Sequence, residues 1–169
     1  MNSSIQFTPH FELREFVVSQ TARDHGLDNT PPAEAVENLR ALCVHTLEPL
    51  REALGLPIVI TSGYRTRELN RLLVCHSNKS QHMSGKAADF HVCWNGPKED
   101  APSRRELLIK AFRQIITDDS IAFDQCIIYP SFIHVSYVRS GHKNRSKLTR
   151  GFGNGKYAAL TRAQALALE

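Results

Sequence analysis

Between residues 36 and 54 apolar side chains return every three or four positions, at Val36, Leu39, Cys43, Leu47, Leu50 and Leu54, the spacing that lines one face of an α-helix. Glu37, Arg40, Glu48, Arg51 and Glu52 fall mostly elsewhere around it. Thr30 is placed to cap this helix, and Pro31 sits where a missing N–H costs nothing. Pro49 is expected to kink it and Gly55 to end it. Ahead of it, residues 11–19 read as a short helical or irregular arm. The period changes after Pro57: Ile58-Val59-Ile60 is a short β-rich run, and Ser62-Gly63-Tyr64-Arg65 turns the chain into a helix over about 66–74. A polar loop follows over 75–81, then a strand over 87–93. Residues 103–116 form a second amphipathic helix carrying Leu107, Leu108, Ala111, Phe112 and Ile115. Residues 125–129 and 132–137 make a β-hairpin turned at Pro130-Ser131.

Helices preceding a run of short strands, without regular β-α-β alternation, predict an α+β fold: a small antiparallel sheet with helices packed on it. The length of 169 residues suits one domain over 1–169, with an N-terminal arm to residue 30 and a distinct segment from 138 onward. A composition of 41% hydrophobic and 22% charged residues excludes collagen-like, mucin-like and wholly disordered chains.

Charge changes the picture only when it is located. The chain carries +4, yet residues 138–156 hold Arg139, Lys143, Arg145, Lys147, Arg150 and Lys156 with no acid, which leaves −2 for the rest. Rich in Gly, Ser and Asn, this stretch reads as a solvated loop or tail, or as a surface for an anionic polymer placed beside the active cleft. It has little aromatic interleaving beyond Phe152 and Tyr157, so nucleic acid is not the expected partner. Cys43, Cys75, Cys93 and Cys126 are widely spaced without a C-x-x-C pair, which predicts reduced, mostly buried thiols rather than a zinc-finger or redox framework. No apolar run approaches the roughly 20 residues of a membrane span, and the first twelve residues lack a secretory pattern. The expected location is therefore cytoplasmic. The oligomeric state is not legible.

Chemistry concentrates in Ser80-Gln81-His82-Met83-Ser84-Gly85-Lys86-Ala87-Ala88-Asp89, where a His and an Asp lie seven positions apart with a Gly and small residues between them. Such a turn can bring an imidazole from a loop and a carboxylate from the start of a strand to one point, as a metal with nitrogen and oxygen ligands requires. His134, in Phe132-Ile133-His134-Val135-Ser136-Tyr137, is available as a third ligand, sharing its strand face with Phe132 and Ser136. Two His and one Asp would leave tetrahedral zinc one open position for water, whose pKa the metal lowers to roughly 7, and amide hydrolysis is the natural chemistry of such a site.

Together, Ser62-Gly63-Tyr64-Arg65, Ser80-x-His82-x-x-Gly85-x-Ala87-x-Asp89 and Phe132-Ile133-His134-Val135-Ser136-Tyr137 resemble the zinc D-alanyl-D-alanine carboxypeptidases and phage endolysin peptidases, whose fold is also that of the hedgehog signalling domain. The arm Phe11-Glu12-Leu13-Arg14-Glu15-Phe16, the stretch Leu47-Glu48-Pro49-Leu50-Arg51 and the pair Asn144-Arg145 resemble the phage-associated branch. The resemblance implies that His82, Asp89 and His134 hold zinc, and that Arg65 stabilises an oxyanion or holds the substrate carbonyl. Arg65 also has a structural alternative, as a helix-start cation paired with Glu68 or another carboxylate. The implied substrate is a stem or cross-bridge peptide of peptidoglycan, and the resemblance implies release to the cell wall by a phage-type route.

The chain departs from the family at the general base. Many relatives have an acid shortly before the final His, but residues 125–133 contain none, and Asp124 is the nearest carboxylate. Asp124 is thus the candidate base, with a strand-edge role as its alternative. Tyr129 is a candidate donor to an oxyanion, since a phenol with pKa near 10 stays protonated at neutral pH. Ser80 is a candidate to orient His82. His91, two residues beyond Asp89, is a candidate for a supporting hydrogen bond, a proton shuttle or a further ligand. The expected function is zinc-dependent hydrolysis of peptidoglycan peptides, by a carboxypeptidase or an endolysin-like endopeptidase. The alternative is a zinc-holding module that binds cell-wall peptides or a protein partner without turnover.

Overall fold

The computed structural model describes residues 5–73, 77–139, 141, 143–153 and 155–169. The N-terminal stretch is more than an arm. β1 (Gln6–Thr8) and β2 (Phe11–Glu12) form a small antiparallel pair, followed by α1 (Leu13–Val17) and α2 (Gln20–Asp24). Phe11 and Phe16 are fully buried, so this segment closes one side of the core. α1 begins at a reciprocal cap in which the Glu12 and Glu15 side chains satisfy each other's free backbone N–H groups.

The long amphipathic stretch divides into α3 (Ala33–Leu42), one wide π-helical turn (Cys43–Leu47) and α4 (Glu48–Leu54), ended by Gly55 at φ +62°. The disturbance expected at Pro49 is displaced to the turn before it. Proline offers no N–H to the carbonyl four residues back and collides with it, which here is His45. That carbonyl turns outward and accepts the N–H of Ala122 at 2.9 Å. The helix also starts later than Thr30 predicts. Thr30 donates its N–H and its hydroxyl to Asp28 Oδ1, at 2.8 and 2.6 Å, so a local turn wins over capping and Pro32 precedes the first helical residue.

β3 (Ile58–Ser62) leads to α5 (Arg67–Leu72), which Thr66 caps through its hydroxyl. The remaining elements are a 3-10 turn (Gln81–Ser84), β4 (Ala87–Val92), a second 3-10 turn (Lys98–Asp100), α6 (Arg104–Thr117), β5 (Gln125–Ile128), β6 (Ile133–Ser136), β7 (Lys147–Gly151), β8 (Tyr157–Leu160) and α7 (Arg162–Leu166). The main sheet runs β3-β4-β6-β5-β7-β8, antiparallel throughout except for the parallel pair β5–β7. α6 packs against β4, β5, α4 and α7, and its Leu108, Phe112 and Ile115 are essentially buried. The fold is α+β, as its pattern implies.

The basic C-terminal stretch corrects the expectation of a loop or tail, because β7 and β8 extend the sheet and α7 covers it. Of the cysteines, Cys43 and Cys126 are buried thiols and Cys93 is half-buried, while Cys75 lies outside the described residues. Among the described residues no helix is long and apolar enough to cross a membrane.

Candidate metal centre

His82 projects from the 3-10 turn that precedes β4, Asp89 from the third residue of β4, and His134 from β6. Two features of the backbone bring them together. β4 and β6 pair in a register that sets Asp89 directly opposite His134, which places both side chains on one face. Gly85 ends the turn at φ +69°, in the left-handed region, and a Cβ there would stand 2.3 Å from the Ala35 carbonyl oxygen. Only glycine allows the turn to fold back against α3 at this point.

Three atoms converge. His134 Nδ1 lies 2.8 Å from Asp89 Oδ1, His82 Nε2 lies 3.2 Å from the same oxygen, and the two imidazole nitrogens are 3.2 Å apart. The edge of a tetrahedron built on metal–ligand bonds of 2.0–2.1 Å is about 3.3 Å, so two edges of this triangle match a shared zinc ligand set closely and the third is about half an ångström short. Hydrogen bonding supports the same conclusion. His82 Nδ1 is 2.7 Å from the Gly63 carbonyl oxygen, to which it must donate. In the neutral ring Nε2 is then a bare lone pair facing a carboxylate oxygen, an arrangement that calls for a cation between them. Burial pushes the His82 pKa down and so favours that neutral ring. For Asp89 burial acts the other way, but the two imidazoles outweigh it and hold the carboxyl well below the usual carboxylate range. The residues present therefore fit zinc.

Arg65 closes the far side of the cluster. Its Nη2 donates to Asp89 Oδ2 and its Nε to Ser62 Oγ, both at 2.9 Å. The guanidinium thus pairs with Asp89 rather than with Glu68, and fixes the carboxylate so that Oδ1 faces the imidazoles. Outside the cluster opens a cleft of about 580 Å³ that also touches Ser80, Tyr129, Lys79 and Lys147. Among its described lining residues Asp89 is the sole carboxylate, against the cations Arg65, Lys79 and Lys147.

The structure separates the remaining sequence candidates. Asp124 does not line this cleft. It is buried beside it, where Oδ1 accepts the Arg145 backbone N–H at 3.0 Å and Nε at 2.8 Å, and Oδ2 accepts Arg145 Nη2 and, at 3.0 Å, Gln81 Nε2. With both oxygens engaged, its visible work is to tie the turn bearing His82 to the approach of β7. Ser80 lines the cleft, but the bond that orients His82 comes from the Gly63 carbonyl. His91 follows the pleat onto the Asp89 side yet lies beyond the cleft, opposite Val59, with Arg104 the charge that acts on it. Tyr129 does line the cleft. The residues that sequence reasoning missed are Gly63, Gln81 and Tyr157, together with Arg145 as the partner of Asp124. Their signal is non-local, since each acts through a contact with a residue at least 19 positions away.

A test follows for the Asp124 network. Burial raises the Asp124 pKa, but the Arg145 and Gln81 hydrogen bonds outweigh it and bring the value below the ordinary 3.8. The stability this provides is complete above about pH 4 and is lost as the pH falls through the lowered folded value. Asp124→Asn is expected to cost about 2 kcal/mol at pH 7, less than a fully buried pair because Arg145 is 57% exposed. In urea denaturation the gap between variant and parent should narrow below pH 4. A gap independent of pH would mean that the carboxylate charge is not what Arg145 holds.

A family model described as Peptidase M15 matches residues 9–136. No curated protein matches the chain.

Proposed function

The chain belongs to the M15 peptidase family, and on that premise we propose that it is a zinc-dependent hydrolase of amide bonds in peptidoglycan peptides. The observation that carries this reading is the triangle of His82 Nε2, Asp89 Oδ1 and His134 Nδ1, with edges of 2.8–3.2 Å at the floor of an open cleft. These three residues would hold the metal, which when bound supplies an activated water and polarises the scissile carbonyl. Gly63 fixes the tautomer of His82 through its carbonyl. Arg65 holds Asp89 by one oxygen, and two of its five N–H groups are engaged with Asp89 and Ser62. The others are available to a substrate carbonyl or to the oxyanion it becomes. Lys79 and Lys147 give the walls a positive charge suited to a peptide that carries free carboxylates.

Purified protein is expected to contain about one zinc per chain and to release peptides from isolated peptidoglycan. Chelation should stop the release and added zinc restore it. Product masses distinguish loss of a terminal D-alanine from an internal cut. A protein without zinc, or one that leaves peptidoglycan intact, would refute the proposal. The absence of a second carboxylate from the described cleft lining favours one rival in particular, a module that keeps zinc and binds stem peptide without cleaving it. Zinc at one per chain, peptide binding and no product above the chelated control would establish that rival.

A further inference from the structure

We propose that the Tyr129 hydroxyl donates a hydrogen bond to the oxygen that becomes negative as an amide carbonyl is attacked in the cleft, and that Tyr157 is the positioning residue that holds it ready. The inference rests on the hydrolase reading above. Tyr129 directly follows β5, and its N–H donates to the Phe132 carbonyl at 2.9 Å, closing the tight turn into the strand that bears His134. Its ring is confined on two sides. Phe132 stacks on it with centroids 4.3 Å apart and planes 18° from parallel. Gly151 abuts it elsewhere, and a Cβ there would fall 2.3 Å from the Tyr129 ring. Glycine as the last residue of β7, opposite Tyr157 and with no side chain to contribute to the ladder, is accounted for by this close approach.

The hydroxyl is held as well. Tyr129 Oη lies 3.2 Å from Tyr157 Oη, and the two rings meet edge to face at 6.2 Å. Tyr157 is itself fixed opposite Gly151 in the β7–β8 register. Both phenols line the cleft, and Tyr129 lies within the electrostatic reach of Asp89 and Arg65. Burial and the bond to Tyr157 raise the Tyr129 pKa, so the group remains a neutral donor. Arg65, held by Asp89 and Ser62 through two of its N–H groups, is the second donor to the same cleft, so the Tyr129 bond adds to it rather than replacing it.

A hydroxyl carries one donor and two acceptor sites. The Tyr129 proton can therefore turn from Tyr157 toward substrate while the Tyr157 proton turns to the Tyr129 oxygen. One hydrogen bond is gained and no proton is transferred. Because the new bond forms to charge that develops only during attack, it should act on kcat and leave KM nearly unchanged.

The test uses the full zinc-loaded chain with Tyr129→Phe and Tyr157→Phe. Loss of one oxyanion donor lowers kcat by roughly 10²-fold or more, and about 10²-fold is expected for Y129F with KM within about threefold. Affinity for a phosphinate mimic of the tetrahedral species should fall by the same factor, while zinc content and affinity for the cleaved peptide stay at the parent level. Y157F, at a position 54% exposed and so tolerant of change, should show the same pattern at about tenfold. An unchanged kcat and phosphinate affinity in Y129F overturns the inference, as does a loss confined to KM. If the unaltered protein cleaves nothing, the hydrolase reading falls and this inference with it; cleavage retained in Y129F removes this inference alone.

Discussion

Asp89→Ala is expected to bind zinc at least about 10³-fold more weakly than the parent and to hydrolyse peptide no faster than metal-free protein. Two imidazoles alone cannot complete a catalytic set that needs three protein ligands, and Asp89 is the member that touches every other part of the centre. Its Oδ1 meets both His82 and His134, and its Oδ2 meets Arg65. The substitution therefore has a second consequence that does not depend on metal. Arg65 is 16% exposed, and without Asp89 its charge stays largely desolvated with only the neutral Ser62 hydroxyl beside it. Breaking such a pair costs about 3 kcal/mol, which urea denaturation in excess chelator should reveal separately from any effect of zinc. Asp89→Asn keeps the volume and one neutral oxygen, so it should lose zinc in the same way and stability to a lesser degree. One zinc per chain and parental turnover in D89A would place the centre elsewhere.

Gly63→Ala is expected to damage fold and site together. A Cβ at this position would stand 2.4 Å from the Phe16 carbonyl oxygen and 2.6 Å from Phe16 Cα, and backbone cannot swing aside as a side-chain tip can. The adjoining N–H of Tyr64 donates to that same Phe16 oxygen at 2.7 Å, so any retreat also strains a short backbone bond. Overpacking of this kind costs about 3 kcal/mol. The Gly63 carbonyl is the acceptor that orients His82, and disturbing a bond behind a metal ligand lowers metal affinity by about 10–100-fold. Gly55→Ala is the control. Its φ of +62° makes alanine unfavourable there by about 1 kcal/mol, but nothing lies within 4 Å of the added Cβ, and zinc affinity should be unchanged. Competition titration with a zinc chelator and urea denaturation read both quantities. Parental values for G63A would show that α1 can move away from β3 at no cost.

The proposed ligands can be picked out from sequence because their spacing and strand period are local properties. A His and an Asp seven positions apart around a glycine fix a tight turn, and alternation along β6 fixes the face of His134. The register that sets Asp89 opposite His134 is not local, and only the assembled sheet supplies it. Asp124 shows the same limit more sharply. Its place before β5 makes it the nearest acid to His134, yet what holds it in the structure is Arg145, 21 positions later, delivered by the parallel β5–β7 pairing. That pairing was hidden because Lys147–Gly151 lacks clean alternation and sits among Gly, Ser and cations, a composition typical of loops. The helix ends failed for a different reason. Thr30 and Pro49 carry correct local signals, but Asp28 competes for the first and Ala122 accommodates the second.

The placement of β7 and β8 divides the cleft along the chain. Every proposed ligand lies at or before His134, whereas Lys147, Thr149 and Tyr157, all from the last two strands, add to the lining of the cleft. On the proposed reading the metal-holding residues and this added wall are encoded in consecutive stretches of sequence, and the Tyr129–Tyr157 contact is where the later stretch reaches the chemistry of the earlier one.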